Sequence, residues 1–280
     1  MIRAVSLLLV LAVCAVRASA TEAPTLLQAL HPGETFHYKV AWAVLPGAGE
    51  INIGVTNEAL DGVKRLKVTT TTRTRGLAHV FMKFEATGES YFDEQTGRCV
   101  LLHEVSLVKK KVSEHFVTFD YDKRTALYAP GSWTSESREL SMPAGQPVDL
   151  ITQLISTRAW NLQPGEQRDA LVLFDDEFYE LTIHAERYEN ISTPLGDFRT
   201  LVLVPRMEKT PPKGMFKRGS SVRVWISQDE RHLPVRFEVE FKVGTGTATL
   251  VSYTPPTGAT AAPAAQPAPA SDAADADSRP

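Results

Sequence analysis

The chain has 280 residues, of which 43% are hydrophobic and 22% charged, so it is long and apolar enough to bury a large core. Its 30 basic residues are outnumbered by 33 acidic ones, and the formal net charge is −3. Proteins that bind nucleic acid through phosphates carry a basic excess, so this charge argues against a nucleic-acid partner.

The first 20 residues have the pattern of a secretory signal peptide. Met1–Arg3 is a short cationic start, an apolar run follows, and Ala18-Ser19-Ala20 supplies the small side chains that signal peptidase requires. The apolar run of 12 residues, 5–16, is too short to span a membrane as a helix, which needs roughly 20. The sequence therefore predicts cleavage, a mature chain that begins at Thr21, and a periplasmic location.

Two cysteines bear on the same question. Cys14 would be acylated in a lipoprotein, but Val13 stands where lipoprotein processing requires a small residue, so we favour cleavage without lipidation. Cleavage leaves Cys99 as the sole cysteine, and the mature chain then has no intramolecular disulfide, which a domain of this length does not need. Cys99 lies where a turn enters an apolar strand, so we expect a small buried side chain without a metal or redox role.

Alternation of apolar and polar residues dominates the rest of the chain and predicts β-strands. Phe36, Tyr38, Val40 and Trp42 alternate with polar residues, and Ile51, Ile53 and Val55 resume the pattern after Pro46–Gly49, which predicts a hairpin. Such strands have one dry and one solvated face, as in antiparallel sheets. The other strands are predicted at residues 66–74, 86–92, 100–107, 115–121, 171–174, 179–185, 198–204, 222–226, 235–243 and 247–253.

Two segments between these strands lack the alternation. Leu77–Phe84 is apolar with poor alternation, and we interpret it as core packing, with a short helix or flap as the alternative. Lys109–Lys111 places three lysines in a row, and we interpret them as protection of an edge strand against pairing with another chain.

One helix is predicted with clear boundaries. Asp149 can cap its N-terminus, apolar residues recur at helical spacing from Leu150 to Ala159, and Pro164-Gly165 ends the element. A single helix provides too few crossovers for an α/β fold. The sequence therefore predicts a mainly β fold: a curved antiparallel sheet, a partial barrel or two packed sheets, with one main helix.

Three charged segments follow the helix. Asp175-Asp176-Glu177 and residues 229–232 offer acids that could serve catalysis, but each lies between two strands, where a solvated turn is the better interpretation. The third segment mixes cations with apolar residues and suits an anionic lipid or glycan surface, although a solvated hairpin remains the alternative. Its candidate surface-binding residues are Arg206, Lys209, Lys213, Lys217 and Arg218.

The C-terminal residues 255–280 contain mostly Pro, Ala, Thr, Ser and Asp, with no aromatic or large aliphatic side chain. Such a composition cannot bury enough surface to offset its ordering entropy, so we predict a disordered tail. The sequence thus divides into a signal peptide at 1–20, a β-rich region at 28–254 that is one domain or two packed halves joined by the helix near 149–160, and the tail.

Several motifs together resemble a bacterial exported family catalogued as domain of unknown function 3108. They extend from about residue 30 to 253 and comprise Pro32-Gly33-Glu34 before an aromatic strand, Asp149-Leu150-Ile151 running to Arg158, Val224-Trp225-Ile226-Ser227 with Asp229, and Leu233-Pro234-Val235-Arg236. The chain departs from the pattern at Thr152 and at Ile155-Ser156, where the family has Ser and Tyr. The resemblance implies a β-rich periplasmic protein and supplies no activity.

No catalytic motif, metal-ligand spacing or phosphate-binding loop is present in the sequence, so we predict no catalytic residues, metal or cofactor. Two function classes remain open. The first is a non-enzymatic binder of a lipid or other amphiphile, held between the sheet and the helix from Asp149 to Trp160, with Trp42, Trp160 and Trp225 as candidate ligand-binding residues. The alternative is an enzyme or assembly factor that acts on envelope polysaccharide.

Overall fold

The computed structural model describes residues 26–131, 136–217, 219–242 and 244–256, and these form a mainly β structure, as predicted. Helix α1 is Gly76–Phe81 and helix α2 is Leu150–Ser156, which continues as a 3₁₀ turn at Thr157–Ala159. Further 3₁₀ turns lie at Leu26–Gln28 and Gly214–Phe216. The strands are β1 (Thr35–Trp42), β2 (Leu45–Leu60), β3 (Val63–Thr74), β4 (Phe84–Phe92), β5 (Cys99–Val108), β6 (Lys111–Asp120), β7 (Thr125–Pro130), β8 (Arg138–Ser141), β9 (Pro147–Val148), β10 (Gln167–Phe174), β11 (Glu177–Thr193), β12 (Gly196–Arg206), β13 (Ser221–Ser227), β14 (Pro234–Phe241) and β15 (Gly244–Thr254).

All 15 strands of the described residues belong to one sheet. Strands β8 to β1 follow one another on one side, strands β15 to β9 on the other, and the two series meet where β1 pairs with β15. Neighbours pair antiparallel except β9 and β10, which are parallel. Strands β8 and β9 are therefore the two edges of the sheet.

The sheet curls until its two ends meet through side chains. Tyr128 in β7 donates a hydrogen bond from its hydroxyl to Asp175 Oδ1 at 3.1 Å, and Arg138 in β8 forms an ion pair with Asp176. Both acids lie in the turn between β10 and β11. The result is a partial barrel, one of the forms that the sequence predicted.

The first hairpin turns earlier than predicted. β1 and β2 are joined at Ala43 and Val44, not at Pro46–Gly49, which lies inside β2. Gly49 is needed there for close packing, because a Cβ at this position would lie 2.9 Å from the Arg73 carbonyl oxygen in β3. The glycine therefore permits a close approach of two strands, which the sequence alone does not distinguish from a turn.

Helix α2 begins where the sequence predicted. The Asp149 side chain accepts a hydrogen bond from the Thr152 backbone N–H at 2.8 Å, which caps the helix. The side chains of Thr152 to Ser156 are buried. Ile155 packs in the main core with residues of both series of strands, while Leu154 packs in a second cluster with β10 to β13.

Two of the preferred sequence interpretations are wrong. The apolar segment 77–84 does not pack in the core, because Leu77, Val80 and Phe81 are exposed, whereas the alternative of a short helix is confirmed by α1. Lys109 and Lys110 form the turn between β5 and β6, which are interior strands and not edges of the sheet. Cys99 is fully buried, as predicted.

The predicted signal peptide lies outside the described residues, as does the predicted tail from residue 257 onward. No helix among the residues that the structure describes is long and apolar enough to cross a membrane.

Candidate ligand site

An apolar cleft of about 90 Å³ lies between α2 and the sheet. The helix contributes Leu150, Ile151 and Leu154 to its wall. The sheet contributes a continuous apolar area from four neighbouring strands, formed by Leu181, Ile183, Leu203, Pro205, Val222, Val224, Phe237 and Val239. The cleft lies between the helix and the sheet, and its lining contains none of the predicted residues Trp42, Trp160 and Trp225.

The strand register explains why this wall is apolar. Leu203 of β12 pairs with Val224 of β13, and Val224 pairs in turn with Phe237 of β14. Val222 pairs with Val239 in the same way. Because paired residues point to the same face of a sheet, the alternating apolar positions of three strands form one surface.

The loop between β12 and β13 lines the other side of the cleft. Its 3₁₀ turn places Met215 and Phe216 against the cleft and also against a smaller cavity of about 30 Å³, which is lined by Leu150, Val172, Phe174 and Tyr179. The two side chains thus lie between the two cavities. Gly214 allows this close seating, since its φ is +54° and a Cβ there would lie 2.7 Å from the Tyr179 hydroxyl oxygen.

Most of the predicted surface-binding cations are ion-paired. Arg206 pairs with Glu186 at 2.8 Å, Lys209 with Asp169 at 2.6 Å and Lys213 with Glu177 at 3.3 Å. Lys213 also lies over the Tyr179 ring, with Nζ 4.6 Å from its centroid. Met207 is buried. The loop is therefore folded onto the protein, with its apolar side chains turned inward.

The other two predicted cations differ from these. Lys217 is exposed and forms no ion pair with any residue that the structure describes. Arg218 lies outside the described residues.

A larger and more polar pocket adjoins the cleft. It has a volume of about 340 Å³ and shares Gln153 and Leu181 with the cleft. Trp160 lines it, and the Arg168 guanidinium lies 4.9 Å from the centre of the Trp160 ring. Burial lowers the pKa of Arg168, and the hydrogen bond from Lys209 lowers the pKa of Asp169, so this carboxylate is held ionised.

The three tryptophans predicted to bind ligand lie in different surroundings. Trp160 lines the polar pocket. Trp225 is buried in the main core, and its indole Nε1 has no hydrogen-bond partner among the described residues. Trp42 packs on β15, where a Cβ at Gly246 would lie 3.2 Å from its ring. Sequence reasoning could not separate these environments, because all three residues stand in strands or at the end of the helix.

A buried ion pair was missed by the sequence analysis. The Arg158 side chain, 7% exposed, donates from Nη1 to Glu34 Oε2 at 2.9 Å, and Glu34 is fully buried. Arg158 also donates to the backbone carbonyls of Ala29 and Arg231, and the Tyr253 hydroxyl donates to Glu34. Two of the four motif groups of the family resemblance, those of Glu34 and Arg158, therefore meet at this pair, and the Arg231 carbonyl lies in the segment between the other two, although the sequence did not indicate these contacts.

Cys99 is buried in the main core and is not part of the lining of the apolar cleft or of the polar pocket. Burial raises the pKa of the Cys99 thiol well above its usual value, so it is held as the thiol. No group of three His, Cys, Asp or Glu residues that could hold a metal is present among the described residues. Asp175-Asp176 and residues 229–232 are turns, as predicted.

Comparison with known proteins identifies both a family and a fold. A family model described as "Protein of unknown function (DUF3108)" matches residues 37–251. No curated protein matches the chain. The solved structure of a β-barrel-like protein of domain of unknown function DUF1849 from Brucella abortus is similar over 80% of this chain and 97% of that chain, with 9% sequence identity and a TM-score of 0.53.

A second solved structure, a hypothetical protein from Chlamydia trachomatis, matches 87% of this chain and 98% of that chain with 8% identity and a TM-score of 0.35. At such identities the first likeness supports the β-barrel-like fold and nothing about activity.

Proposed function

This chain belongs to the DUF3108 family of proteins of unknown function, and we propose that it is an exported, non-enzymatic protein that binds a lipid or similar amphiphile in the cell envelope. Export rests on the sequence of residues 1–20. Binding rests on the apolar cleft between α2 and the sheet, which is the single observation that carries the proposal.

The lining of the cleft supports an apolar ligand part. Aliphatic and aromatic side chains form nearly all of its wall, and a cavity lined in this way stays dry and binds apolar molecules. Each methylene that moves from water into such a wall contributes about 0.8 kcal/mol. A chain of several methylenes therefore gains substantial affinity without any polar contact.

The cleft by itself is small for a ligand pocket. About 90 Å³ is smaller than an engineered cavity of roughly 150 Å³ that binds benzene, and ligand pockets usually exceed about 300 Å³. Movement of Met215 and Phe216 would join the cleft to the cavity beside Tyr179. We propose that the loop opens in this way when a longer chain enters.

The polar pocket suits the second part of an amphiphile. It adjoins the cleft at Gln153 and Leu181, and it offers the Arg168 guanidinium as a cation, while Lys209 is paired with Asp169 in the same lining. A headgroup with negative charge could lie there while its chain occupies the cleft. The same pocket, with Trp160 and Glu180, is the observation that favours the alternative, an enzyme or assembly factor acting on polysaccharide.

Ligand binding is tested with the mature protein. Its organic-solvent extract is analysed by mass spectrometry, and the delipidated protein is titrated with saturated fatty acids of increasing length while Trp fluorescence is followed. We expect the affinity to rise roughly fourfold for each added methylene until the cleft is filled, which follows from about 0.8 kcal/mol for each group.

Three variants locate the site. Val239→Phe fills the cleft and should abolish the fluorescence change, whereas Phe216→Ala removes part of the cover and should tighten binding several-fold. Leu195→Ala, an exposed residue at the distant turn between β11 and β12, is the matched control and should bind as the wild type does. Absence of lipid in the extract together with no response to any chain length would rule out the proposal, and a response to oligosaccharides alone would favour the alternative.

A further inference from the structure

Large apolar side chains lie in solvent at one end of the partial barrel, where turns and α1 join neighbouring strands. Because neighbouring strands are antiparallel, the ends of β1, β3 and β5 and the beginnings of β2, β4 and β6 lie at the same end of the barrel. Helix α1 connects β3 to β4 there, and the turn at Lys109 and Lys110 connects β5 to β6.

Helix α1 buries none of its residues. The exposed fractions are 63% for Leu77, 78% for Val80 and 77% for Phe81, and Met82 at its end is half exposed. Val108 and Val112, on either side of the lysine turn, are exposed as well. Exposed apolar residues that stand singly are common on proteins, but a group of this kind with a polar rim is typical of an interaction site.

The structure holds α1 in this position from both sides. The Arg75 backbone N–H donates to the Ala48 carbonyl at 2.8 Å before the helix. After it, the Thr74 hydroxyl donates to the Met82 carbonyl at 2.9 Å and accepts from the Phe84 N–H at 3.0 Å. The apolar side chains are therefore displayed by a fixed backbone.

Lysines border these apolar side chains. Lys83 follows α1 directly, and the Lys109 backbone N–H donates to the Lys83 carbonyl at 2.7 Å, which joins the lysine turn to the end of the helix. Among the described residues, Lys109, Lys110 and Lys111 form no ion pair. Lys83 forms a long ion pair with Glu85 at 3.6 Å, and both side chains are about half exposed. The charge of the lysine turn beside α1 is thus positive and directed to solvent.

We propose that α1 and the lysine turn, at this end of the barrel, form a docking surface for a membrane that contains anionic phospholipid. The surface, named here the α1 surface, consists of Leu77, Val80, Phe81, Met82, Lys83, Val108, Lys109, Lys110, Lys111 and Val112. Its apolar side chains enter the interfacial region, and its lysines lie at the level of the anionic headgroups. Both features are needed, since neither a few apolar side chains nor four lysines alone give stable membrane binding.

The α1 surface also lies at the same end of the barrel as the loop over the apolar cleft. β12 ends and β13 begins at this end, so docking brings the loop with Met215 and Phe216 toward the lipid. The docking proposal itself does not depend on what the cleft holds.

Flotation with vesicles tests the proposal on the mature protein. Vesicles of phosphatidylglycerol and phosphatidylcholine are compared with vesicles of phosphatidylcholine alone. We expect the protein to float with the anionic vesicles only and to be released in part by high salt, because surface charges are screened. Each lysine near the anionic surface is worth about fivefold in binding, so Lys109→Gln with Lys110→Gln and Lys111→Gln should weaken it about a hundredfold.

A second variant removes the apolar contribution. Val80→Ser with Phe81→Ser should weaken binding at least tenfold while leaving the thermal midpoint unchanged, since both side chains are in solvent. The matched controls lie at the opposite end of the barrel. They are Leu195→Ser for the apolar change, and Lys64→Gln with Lys123→Gln for the charge change. Both controls should float as the wild type does.

Three results would overturn the proposal. The first is no flotation with anionic vesicles, and the second is equal flotation of the wild type and the Val80 and Phe81 variant. The third is a concentration-dependent dimer in sedimentation that Phe81→Asp dissolves, which would make the α1 surface an interface between two copies of this chain. Because fatty-acid titration in solution tests the cleft separately, failure of docking and failure of ligand binding are distinguishable.

Discussion

Glu34 and Arg158 form a buried ion pair that holds three segments of the chain together. The carboxylate is fully buried and accepts from both Arg158 and Tyr253, while the guanidinium also donates to two backbone carbonyls. Every charged group in this cluster therefore has a partner, which is the condition under which a buried charge is tolerated. The pair joins the beginning of β1, the end of the helix and the turn between β13 and β14.

Breaking this pair from one side should be costly. Arg158→Met leaves the Glu34 carboxylate buried without its cation, and Glu34→Gln leaves the guanidinium without its anion, so each should lower the free energy of unfolding by about 3–5 kcal/mol. Urea denaturation followed by circular dichroism measures the change.

The double variant Glu34→Gln with Arg158→Met should cost clearly less than the two single changes added together, because no charge is left unpaired. Tyr253→Phe, which retains the ion pair, is the matched control and should cost less than either single change. Single variants within about 1 kcal/mol of the wild type would contradict a buried pair.

At the scale of elements, α2 connects the two series of strands inside the curled sheet. Its N-cap residue Asp149 binds the Thr152 N–H through Oδ1 and accepts from the Ser90 hydroxyl of β4 through Oδ2, at 2.6 Å. Its other end is held by Arg158. One short helix is thereby fixed at both ends, which keeps the wall of the apolar cleft in place.

The cap can be tested separately from the tie to β4. Asp149→Ala removes both hydrogen bonds and should lower the free energy of unfolding by about 1–3 kcal/mol. Ser90→Ala removes only the tie to β4 and should cost about 1 kcal/mol. Thermal unfolding of the purified proteins gives both values, with Asp149→Asn, a good N-cap residue, as the control. Equal stability of Asp149→Ala and the wild type would show that the cap contributes nothing.

At the scale of the whole molecule, the sheet curls into a partial barrel and places the proposed ligand site and the proposed docking surface at one end. This end carries the covering loop of the apolar cleft, helix α1 and the contact that joins Arg138 to Asp176. A protein that takes up an amphiphile from a membrane needs its opening and its docking surface on the same side. The arrangement found here meets that requirement.

The C-terminal tail should not contribute to the stability of this fold. Truncation after Thr254 leaves β15 complete, including Tyr253 and its hydrogen bond to Glu34, and removes only residues with no large apolar side chain. Thermal unfolding of the truncated and full-length proteins should therefore coincide. A fall of several degrees, on the order of 1–2 kcal/mol for a domain of this size, would show that the tail packs on the domain.

The sequence by itself determined the local structure. Alternation identified most of the strands because a half-buried strand must change face at every residue, and the cap and apolar spacing identified α2 in the same way. The family motifs were also visible. The short strands β7, β8 and β9 were missed, because strands of two to six residues carry too few alternating positions.

Only the tertiary structure decided which residues meet. The Glu34–Arg158 pair joins residues far apart in the chain, and no local pattern encodes such a contact. The same holds for α1 and for Met215 and Phe216, because an apolar residue type does not determine whether its side chain faces the core, a cleft or solvent. In this protein the register and curl of the sheet made that choice, turning Phe216 inward and Phe81 outward.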